Sequence, residues 1–251
     1  MKKILSMILV LCMALTLCSA AFAESKSPVD GMTVAFIPKV SGNSFFEAAN
    51  DGAQKYAADW GLTVDYIGAP TADVTTQLEL IQQAIDKGVD AICISSVDAT
   101  GLDEKLQEAQ DAGIFVSTWD SDVSPDARAL MVSQGTADVL GPMLVDMAVD
   151  SLTERGVDVN GEVKYVWHFS NPSVSDQNSW YVAGDAYIKE KYPTWVAVND
   201  PYYSNQDPAQ SVSVGESILD AYPDIDVIIC NDSTALPGQC KAAENKGKTA
   251  K

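Results

Sequence analysis

The residues best suited to hold a ligand or to do chemistry follow a short β-branched run. Residues 115–118 predict a strand, and Trp119, Asp120 and Asp122 come directly after it. In an open parallel α/β sheet, ligands bind in the crevice outside the carboxyl ends of the strands. We therefore predict that Trp119 and Asp120 stand at a binding edge. Asp122 fits this edge less well and also fits a solvated loop.

Other predicted strands end in polar residues as well. Lys39 follows the first apolar run, and polar side chains follow three later runs, at 95–98, 168–171 and 230–232. Because the carboxyl ends of parallel strands meet at one edge of a sheet, these segments predict the walls of a single polar cleft.

An enzyme and a binding protein would both use such carboxylates. Asp120 and Asp176 could form the acid–base pair of a glycoside hydrolase. The sequence contains no G-x-S-x-G, H-E-x-x-H or C-x-x-C motif and no phosphate-binding glycine loop. Catalysis therefore has no specific support, and we predict a binding protein rather than an enzyme.

The histidine and cysteine residues do not indicate a metal site. His168 is the only histidine, and its place at a strand end could face the cleft, although a hydrogen-bonded structural role is favoured. The cysteines beyond the first 23 residues are Cys93, Cys230 and Cys240, an odd number without close spacing. Such a set is neither a disulfide framework nor a metal cluster, so we expect no cofactor.

Residues 1–23 predict a secretory signal peptide. Two lysines precede an apolar run at 4–17, and the segment ends in an A-x-A cleavage site at 21–23. The mature chain would begin at Glu24, in the periplasm or at the cell surface. A lipoprotein modified at Cys18 is the second interpretation, because Leu17 is large where a small residue is expected.

The charge of the chain excludes two classes of partner. The sequence has 16 basic and 35 acidic residues, and removal of Lys2 and Lys3 leaves 14 basic residues and a formal charge of −21. Such a negative field repels nucleic acid and anionic membrane surfaces. We therefore expect neither as a partner.

The elements that must position these residues alternate between strand and helix. Apolar strands in such an alternation predict parallel sheets covered by helices on both faces. The first series has strands at 33–37, 63–67, 91–95, 115–118 and 130–133, with helices at 44–60, 73–87 and 102–112. The second has strands at 162–167, within 195–202 and at 227–230, with helices at 137–155, 175–192, 207–222 and 236–246.

These two series predict two α/β lobes, each a doubly wound parallel sheet. We place the first lobe at residues 24–135 and the second at residues 136–251. Residues 156–161 are the best linker by composition, although the helix before them is expected to pack on the second lobe. Asp120 and Asp176 would then face each other across the cleft between the lobes.

Eight short segments follow a recognisable order along the chain. They are AFIPK at 35–39, FF at 45–46, DGAQ at 51–54, TWDSD at 118–122, QGT at 134–136, MLVDM at 143–147, SDQN at 175–178 and ALP at 235–237. Together these segments resemble type I periplasmic sugar-binding proteins of ABC importers. The resemblance is strongest to the members that bind autoinducer-2 or rhamnose, and it covers nearly all of the mature chain.

The resemblance implies a set of ligand-binding residues. It assigns the side chains of Lys39, Asp120, Asp176 and Gln177 to the ligand, with the backbone of Pro237 and of Gln239 assisting. The family usually has alanine at the last position, so the longer amide of Gln239 at the cavity wall could alter which ligand fits. The choice between autoinducer-2 and a sugar therefore stays open.

The residue types agree with a polyhydroxylated ligand. Carboxylates, a lysine and an amide satisfy several hydroxyl groups by charge-assisted hydrogen bonds. Phe45 and Trp119 are expected to supply an apolar wall, whereas Phe46 fits the wall and the core equally well. The protein is thus expected to be a monomeric exported solute-binding protein that delivers its ligand to an ABC importer, or alternatively to a chemoreceptor.

Two further expectations concern the second lobe and the state of the cleft. Members of the family continue with more strands, so the resemblance implies a second lobe that is incomplete at its carboxyl end. Residues 227–230 would then form an unpaired edge strand. The cleft carboxylates are expected to be solvated while the site is empty.

Overall fold

The computed structural model describes residues 27–248, so the predicted signal peptide lies outside the described part. Its first lobe is a five-stranded, fully parallel sheet in the order β2-β1-β3-β4-β5. The elements are β1 (Thr33–Ile37), α1 (Ser44–Trp60), β2 (Thr63–Tyr66), α2 (Val74–Lys87), β3 (Ala91–Ile94), α3 (Asp103–Asp111), β4 (Phe115–Trp119) and β5 (Leu130–Val132).

Side-chain caps and glycines set the ends of the helices beside the cleft. Asn43 caps α1 by accepting a hydrogen bond from the Phe45 backbone N–H, and Gly61 ends the helix in the left-handed conformation at φ 72°. Asp73 caps α2 in the same way, with its Oδ1 2.8 Å from the Thr76 nitrogen. Asn43 lies six residues after the end of β1, and α1 begins at the next residue, which brings Phe45 to the cleft.

The core of the first lobe explains why its strands carry few polar residues. Ile37, Ile92 and Val116 on the sheet are fully buried and belong to one cluster with Ile81 of α2 and Leu106 of α3. Helices cover both faces, so the strands keep apolar side chains on both sides.

The second lobe is built around one central strand. This strand is β6 (Lys164–Phe169), and its neighbours β7 (Val196–Ala197), β8 (Tyr202–Tyr203) and β9 (Val227–Cys230) are all parallel to it. The helices are α4 (Ala137–Glu154), α5 (Ser175–Lys191), α6 (Pro208–Ala221) and α7 (Ala235–Asn245).

The strand predicted within 195–202 is two short strands in the structure. Tyr165 pairs with Ala197 of β7 and with Val227 of β9, so β7 lies on the edge of β6 opposite β9. His168 pairs with Tyr202 of β8 and Cys230 of β9, which places β8 on the same edge as β7. From Ala197 to Tyr202 the chain advances five residues, whereas their partners on β6, Tyr165 and His168, are three residues apart. The pairing is therefore interrupted, and Pro201 in the interruption has no N–H group to donate.

Helix α4 packs against α5 of the second lobe. A Cβ atom on Gly141 would lie 2.6 Å from the Gly184 nitrogen, so only glycine permits this approach of the two helices. Val145 and Leu152 of α4 join the second core, with Trp167 of β6. Helix α4 therefore packs on the second lobe, as expected, and the lobe boundary before Thr136 stays a prediction.

The carboxyl-terminal strand β9 lies at an edge of the second sheet. It pairs with β6, and within residues 27–248 no strand pairs with its other side. The expected unpaired edge at Val227–Cys230 is therefore confirmed for the described part of the chain. A bare edge of this kind presents unpaired backbone groups to other chains.

Candidate functional site

A cavity of about 430 Å³ lies between the two lobes, outside the carboxyl ends of both sheets. This volume suits a small ligand enclosed by both lobes. Its polar lining residues are Lys39, Asp120, Gln134, Asp176, Gln177, Gln206, Asn231, Asp232 and Ser233, and its apolar lining includes Phe45, Phe46, Leu140, Met143, Leu144, Trp180, Leu236 and Pro237.

A buried lysine between two aspartates joins the lobes at this cavity. Lys39 follows β1, and its Nζ lies 2.8 Å from Oδ2 of Asp120 in the same lobe. The same Nζ lies 3.3 and 3.4 Å from the two carboxylate oxygens of Asp176 in the other lobe. The three side chains are 2, 6 and 7% exposed. One cation thus faces two carboxylates in a site that excludes most water.

Asp120 is held in place by its backbone and by its neighbours. Its φ is 60°, in the left-handed region that few residues other than glycine adopt. Its carboxylate accepts hydrogen bonds from Ser95 Oγ at 2.7 Å and from Gln134 Nε2. Burial opposes its ionisation, but Lys39 together with the hydrogen bonds from Ser95 and Gln134 outweighs burial and holds the pKa of Asp120 below its usual value.

Asp176 lies in the first turn of α5, and its pKa is shifted in the opposite direction from that of Asp120. It accepts hydrogen bonds from Ser121 Oγ and Lys39, which favour the charged form. Burial and the nearby charge of Asp120 outweigh these contacts and raise the pKa of Asp176. Burial also disfavours the Lys39 ammonium, yet the two carboxylates prevail and its pKa is raised. Asp176 is therefore the carboxylate of this site that takes up a proton more readily.

Hydrogen bonds on both sides of the cavity hold the lobes closed. On one side, the Ala99 nitrogen donates to the Ser173 oxygen at 3.0 Å. On the other side, Asn43 Nδ2 donates to Ser233 Oγ at 3.1 Å and to Thr234 Oγ1 at 3.0 Å. In this closed arrangement the opposite lobe therefore covers the cleft carboxylates, whereas the expectation of solvated carboxylates concerns the empty site and stays a prediction.

Asp122 belongs to an ion pair outside the cavity lining. Its carboxylate accepts two hydrogen bonds from Arg128, at 3.0 Å from Nε and 2.7 Å from a terminal nitrogen, and a third from Thr118. Burial opposes its ionisation, but these hydrogen bonds keep the pKa of Asp122 below its usual value. Its role is to shape the segment after β4.

The aromatic residues divide between the cavity wall and the support behind it. Phe45 lines the cavity and is 39% exposed, as expected. Trp119 is not part of the lining; its ring stacks on Phe36 with centroids 4.7 Å apart and contacts the edge of Phe46. Trp119 thus packs behind the cavity wall in this structure, and its contact with ligand stays a prediction.

Gln177 and Gln239 differ from the expectation in how their side chains are used. Gln177 lines the cavity, but its Oε1 accepts from the Ser170 nitrogen at 3.0 Å and its Nε2 donates to Asp232 at 3.0 Å. The side chain of Gln239 points away from the cavity and contacts Nδ1 of His168 at 2.7 Å. The expected long amide at the cavity wall is therefore absent.

The backbone contacts implied by the resemblance remain predictions. Pro237 lines the cavity at the first turns of α7, as its assignment requires. Gln239 is 7% exposed and lies on the same helix.

His168 has the structural role that was favoured. Its ring is fully buried at the end of β6 and is hydrogen-bonded to Gln239. Burial disfavours the imidazolium, and Asp232 opposes this only partly, so the pKa of His168 is lowered to about 4. The histidine is thus neutral in the folded protein at neutral pH.

This histidine predicts a loss of stability in mild acid. Because its pKa is depressed on folding, the stabilisation is present above the unfolded value of about 6.5 and is lost as the pH falls towards 4. The difference between these two pKa values corresponds to about 3 kcal/mol. Urea unfolding of the wild type and of His168→Gln between pH 7.5 and 4.5 should show a flatter pH dependence in the variant. Parallel curves would contradict the prediction.

Two cavity residues carry unpaired acceptor atoms that a ligand could use. Gln206 was missed by the sequence reasoning; its Oε1 is buried without a hydrogen-bond partner in the described chain, and its φ is 58°. Asn231 lies in a segment predicted to form the cleft wall; its Nδ2 donates to the Gln177 oxygen, but its Oδ1 is unpaired. Only the polar run after β8 could have pointed to Gln206.

Neither a metal cluster nor a membrane-spanning helix is found in residues 27–248. No group of three or more histidine, cysteine or acidic side chains there has the geometry to bind a metal ion. None of the helices in this range combines the length and the apolar character needed to cross a bilayer.

Comparisons with known proteins agree with this architecture. Residues 34–251 match the family described as periplasmic binding protein domain. The structure of LsrB from Clostridium saccharobutylicum in complex with AI-2 is 59% identical, with a TM-score of 0.86, over 87% of this chain and 68% of that chain.

Two more distant relatives bind sugars. A solute-binding protein of an ABC transporter from Clostridium phytofermentas with bound L-rhamnose is 25% identical, with a TM-score of 0.80, over 86% of this chain and 65% of that chain. The D-ribose/D-allose-binding protein of Pseudomonas aeruginosa is 24% identical over 99% of this chain and 78% of its own length.

Proposed function

The chain is a member of the periplasmic binding protein domain family, and on that premise we propose that it is an exported solute-binding protein. It encloses a small polyhydroxylated molecule, AI-2 or a sugar, between its lobes and delivers it to an ABC importer. The observation that carries this proposal is the buried Lys39 between Asp120 and Asp176. A ligand that contacts all three side chains bridges the lobes and favours their closed arrangement.

The groups around the cavity match the chemistry of such a ligand. Asp120 and Asp176 accept hydrogen bonds from hydroxyl groups, and the Lys39 ammonium donates to a carbonyl or hydroxyl oxygen. Gln206 Oε1 offers a further acceptor. The apolar wall with Phe45 accommodates the carbon skeleton.

AI-2 is the ligand with more support. The AI-2-bound LsrB structure is 59% identical to this chain, whereas the L-rhamnose-bound protein is 25% identical. The substitution that argued against AI-2 concerned Gln239, and its side chain contacts His168 outside the cavity. A difference at that side chain therefore does not change the shape of the cavity directly.

The remaining parts of the proposal concern location and partners. Residues 1–23 would direct export as a cleavable signal peptide, which places the mature protein in the periplasm or at the cell surface. The closed, ligand-bound form would dock as a monomer on the membrane permease of an ABC importer. The protein binds and releases its ligand without altering it.

Titration calorimetry with AI-2, L-rhamnose and D-ribose tests the proposed function. We expect saturable binding of one molecule per chain, strongest for AI-2, and recovery of the ligand chemically unchanged by mass spectrometry. The control variant Lys55→Met, which removes an exposed lysine of α1, should bind these compounds like the wild type. If none of the three compounds binds, or if the recovered compound is altered, the proposal is wrong.

A further inference from the structure

A buried glutamine outside the cavity connects two strand ends of the first lobe. Gln77 lies on α2 and is 2% exposed. Its Nε2 donates to the Pro38 oxygen at 3.0 Å and to the Ser95 oxygen at 2.8 Å, and its Oε1 accepts from the Val97 nitrogen at 2.9 Å. Both N–H groups and the carbonyl of the amide are thus engaged with backbone.

The two segments that Gln77 connects carry the groups that contact Asp120. Pro38 directly precedes Lys39, whose Nζ is 2.8 Å from Asp120. Ser95 donates its hydroxyl to the same carboxylate at 2.7 Å. The Ser95 nitrogen also donates to the Ile37 oxygen at 2.9 Å, which is the last direct bond between the two strands before Lys39. Beyond this bond, the Gln77 side chain bridges the two segments.

We propose that Gln77 is a positioning residue for the ligand site: it holds the segments after β1 and β3 so that Lys39 and Ser95 converge on Asp120. This inference rests on the proposed function, because it concerns binding at the same cavity. Gln77 itself does not line the cavity. Its substitution therefore changes the placement of Lys39 without removing a contact to the ligand.

The second lobe shows the same use of a buried amide. Gln177 on α5 accepts from the Ser170 nitrogen after β6 and donates to Asp232 after β9. A helix-borne glutamine thus joins the ends of two neighbouring strands in each lobe. Gln177 lines the cavity and could contact the ligand directly, whereas Gln77 does not line it. A variant of Gln77 therefore tests positioning without removing a contact to the ligand.

The variant Gln77→Met keeps nearly the same side-chain volume and removes all three hydrogen bonds. It leaves two carbonyl oxygens and one N–H group without their partner in a buried place, so the segments are expected to shift. We expect affinity for AI-2, or for L-rhamnose if the wild type prefers it, to fall about ten- to thirtyfold. Gln83→Met, an exposed position on the same helix, should leave affinity unchanged.

Loss of stability alone must be distinguished from loss of positioning. Ile81 on the same helix is fully buried in the first core, and its apolar side chain makes no hydrogen bond to the segments that carry Lys39 and Ser95. Ile81→Val and Ile81→Ala span the range of destabilisation expected for Gln77→Met. At equal loss of stability, the Ile81 variants should bind normally. Equal loss of affinity in both series would overturn the inference.

A second measurement needs no ligand. The charge and hydrogen bond of Lys39 help to hold the pKa of Asp120, in the same lobe, below its usual value, and carboxyl ¹³C NMR follows this pKa. If Gln77→Met displaces Lys39, the pKa of Asp120 rises, whereas entry of water alone would lower it. An unchanged or lowered value contradicts the inference. Failure of the wild type to bind any probe counts against the proposed function, while this titration still decides the role of Gln77.

Discussion

Replacing Lys39 by methionine should abolish tight ligand binding and open the two lobes. The variant leaves Asp120 and Asp176 facing each other in a buried site without the cation between them. Breaking a buried charge pair by removing one partner costs about 3–5 kcal/mol, because the remaining charge is uncompensated. The open form relieves this cost by exposing both carboxylates to water, so closure is disfavoured even before the ligand is considered.

Small-angle X-ray scattering and calorimetry would measure this effect together. We expect a larger radius of gyration for Lys39→Met and an affinity at least a hundredfold lower than that of the wild type. Lys55→Met removes an exposed lysine of α1 and should change neither quantity. Protonation of one carboxylate removes the repulsion between Asp120 and Asp176, so mild acid should partly restore closure of the variant. A compact variant with unchanged affinity would contradict the bridging role of Lys39.

Asp120→Ala in the first lobe and Asp176→Ala in the second lobe should each weaken ligand binding strongly. Each side chain is nearly buried and hydrogen-bonded to Lys39, and truncating one partner of such a pair costs about 2–5 kcal/mol. This corresponds to about a thirtyfold or larger loss of affinity. The loss of affinity expected for each variant is larger than the loss expected for a solvated carboxylate, because the closed lobes exclude water from the site.

Combining Asp120→Ala with Asp176→Ala tests whether the two residues act through the same cation. Because both contact Lys39, their effects should be non-additive in a double-mutant cycle. Asp51→Ala, at an exposed position of α1, is the matched control and should bind normally. Unchanged affinity in either single variant would disprove bridging by that residue, and loss of the folded state in urea unfolding would assign it a structural role instead.

Much of the framework follows from local patterns along the chain. Asn43, Asp73, Gly61 and Gly88 set helix ends through capping and left-handed conformations, which depend on neighbouring residues alone. Apolar runs of strand length between these helices indicate parallel sheets buried on both faces. The polar residues after the strands then have to meet at one edge, which is why Lys39 and Asp120 could be assigned to the cleft in advance.

The direction and partners of individual side chains depend on packing between distant segments. Trp119 stacks on Phe36 instead of facing the cavity, and Gln239 turns to His168, although both stand at the expected positions along the chain. Gln77 bridges strand ends 39 and 18 residues away. No local pattern reveals these contacts, because they depend on which segments the fold brings together.

The closed state of the cleft depends on the same long-range geometry. Lys39 and Asp176 are 137 residues apart in the chain. Where they meet, the carboxylates of Asp120 and Asp176 are both buried. The residue types and their order along the chain are enough to place acids and a lysine at strand ends. The relative position of the lobes decides whether these groups are solvated or paired, because burial and charge compensation arise only when both walls of the cavity are present.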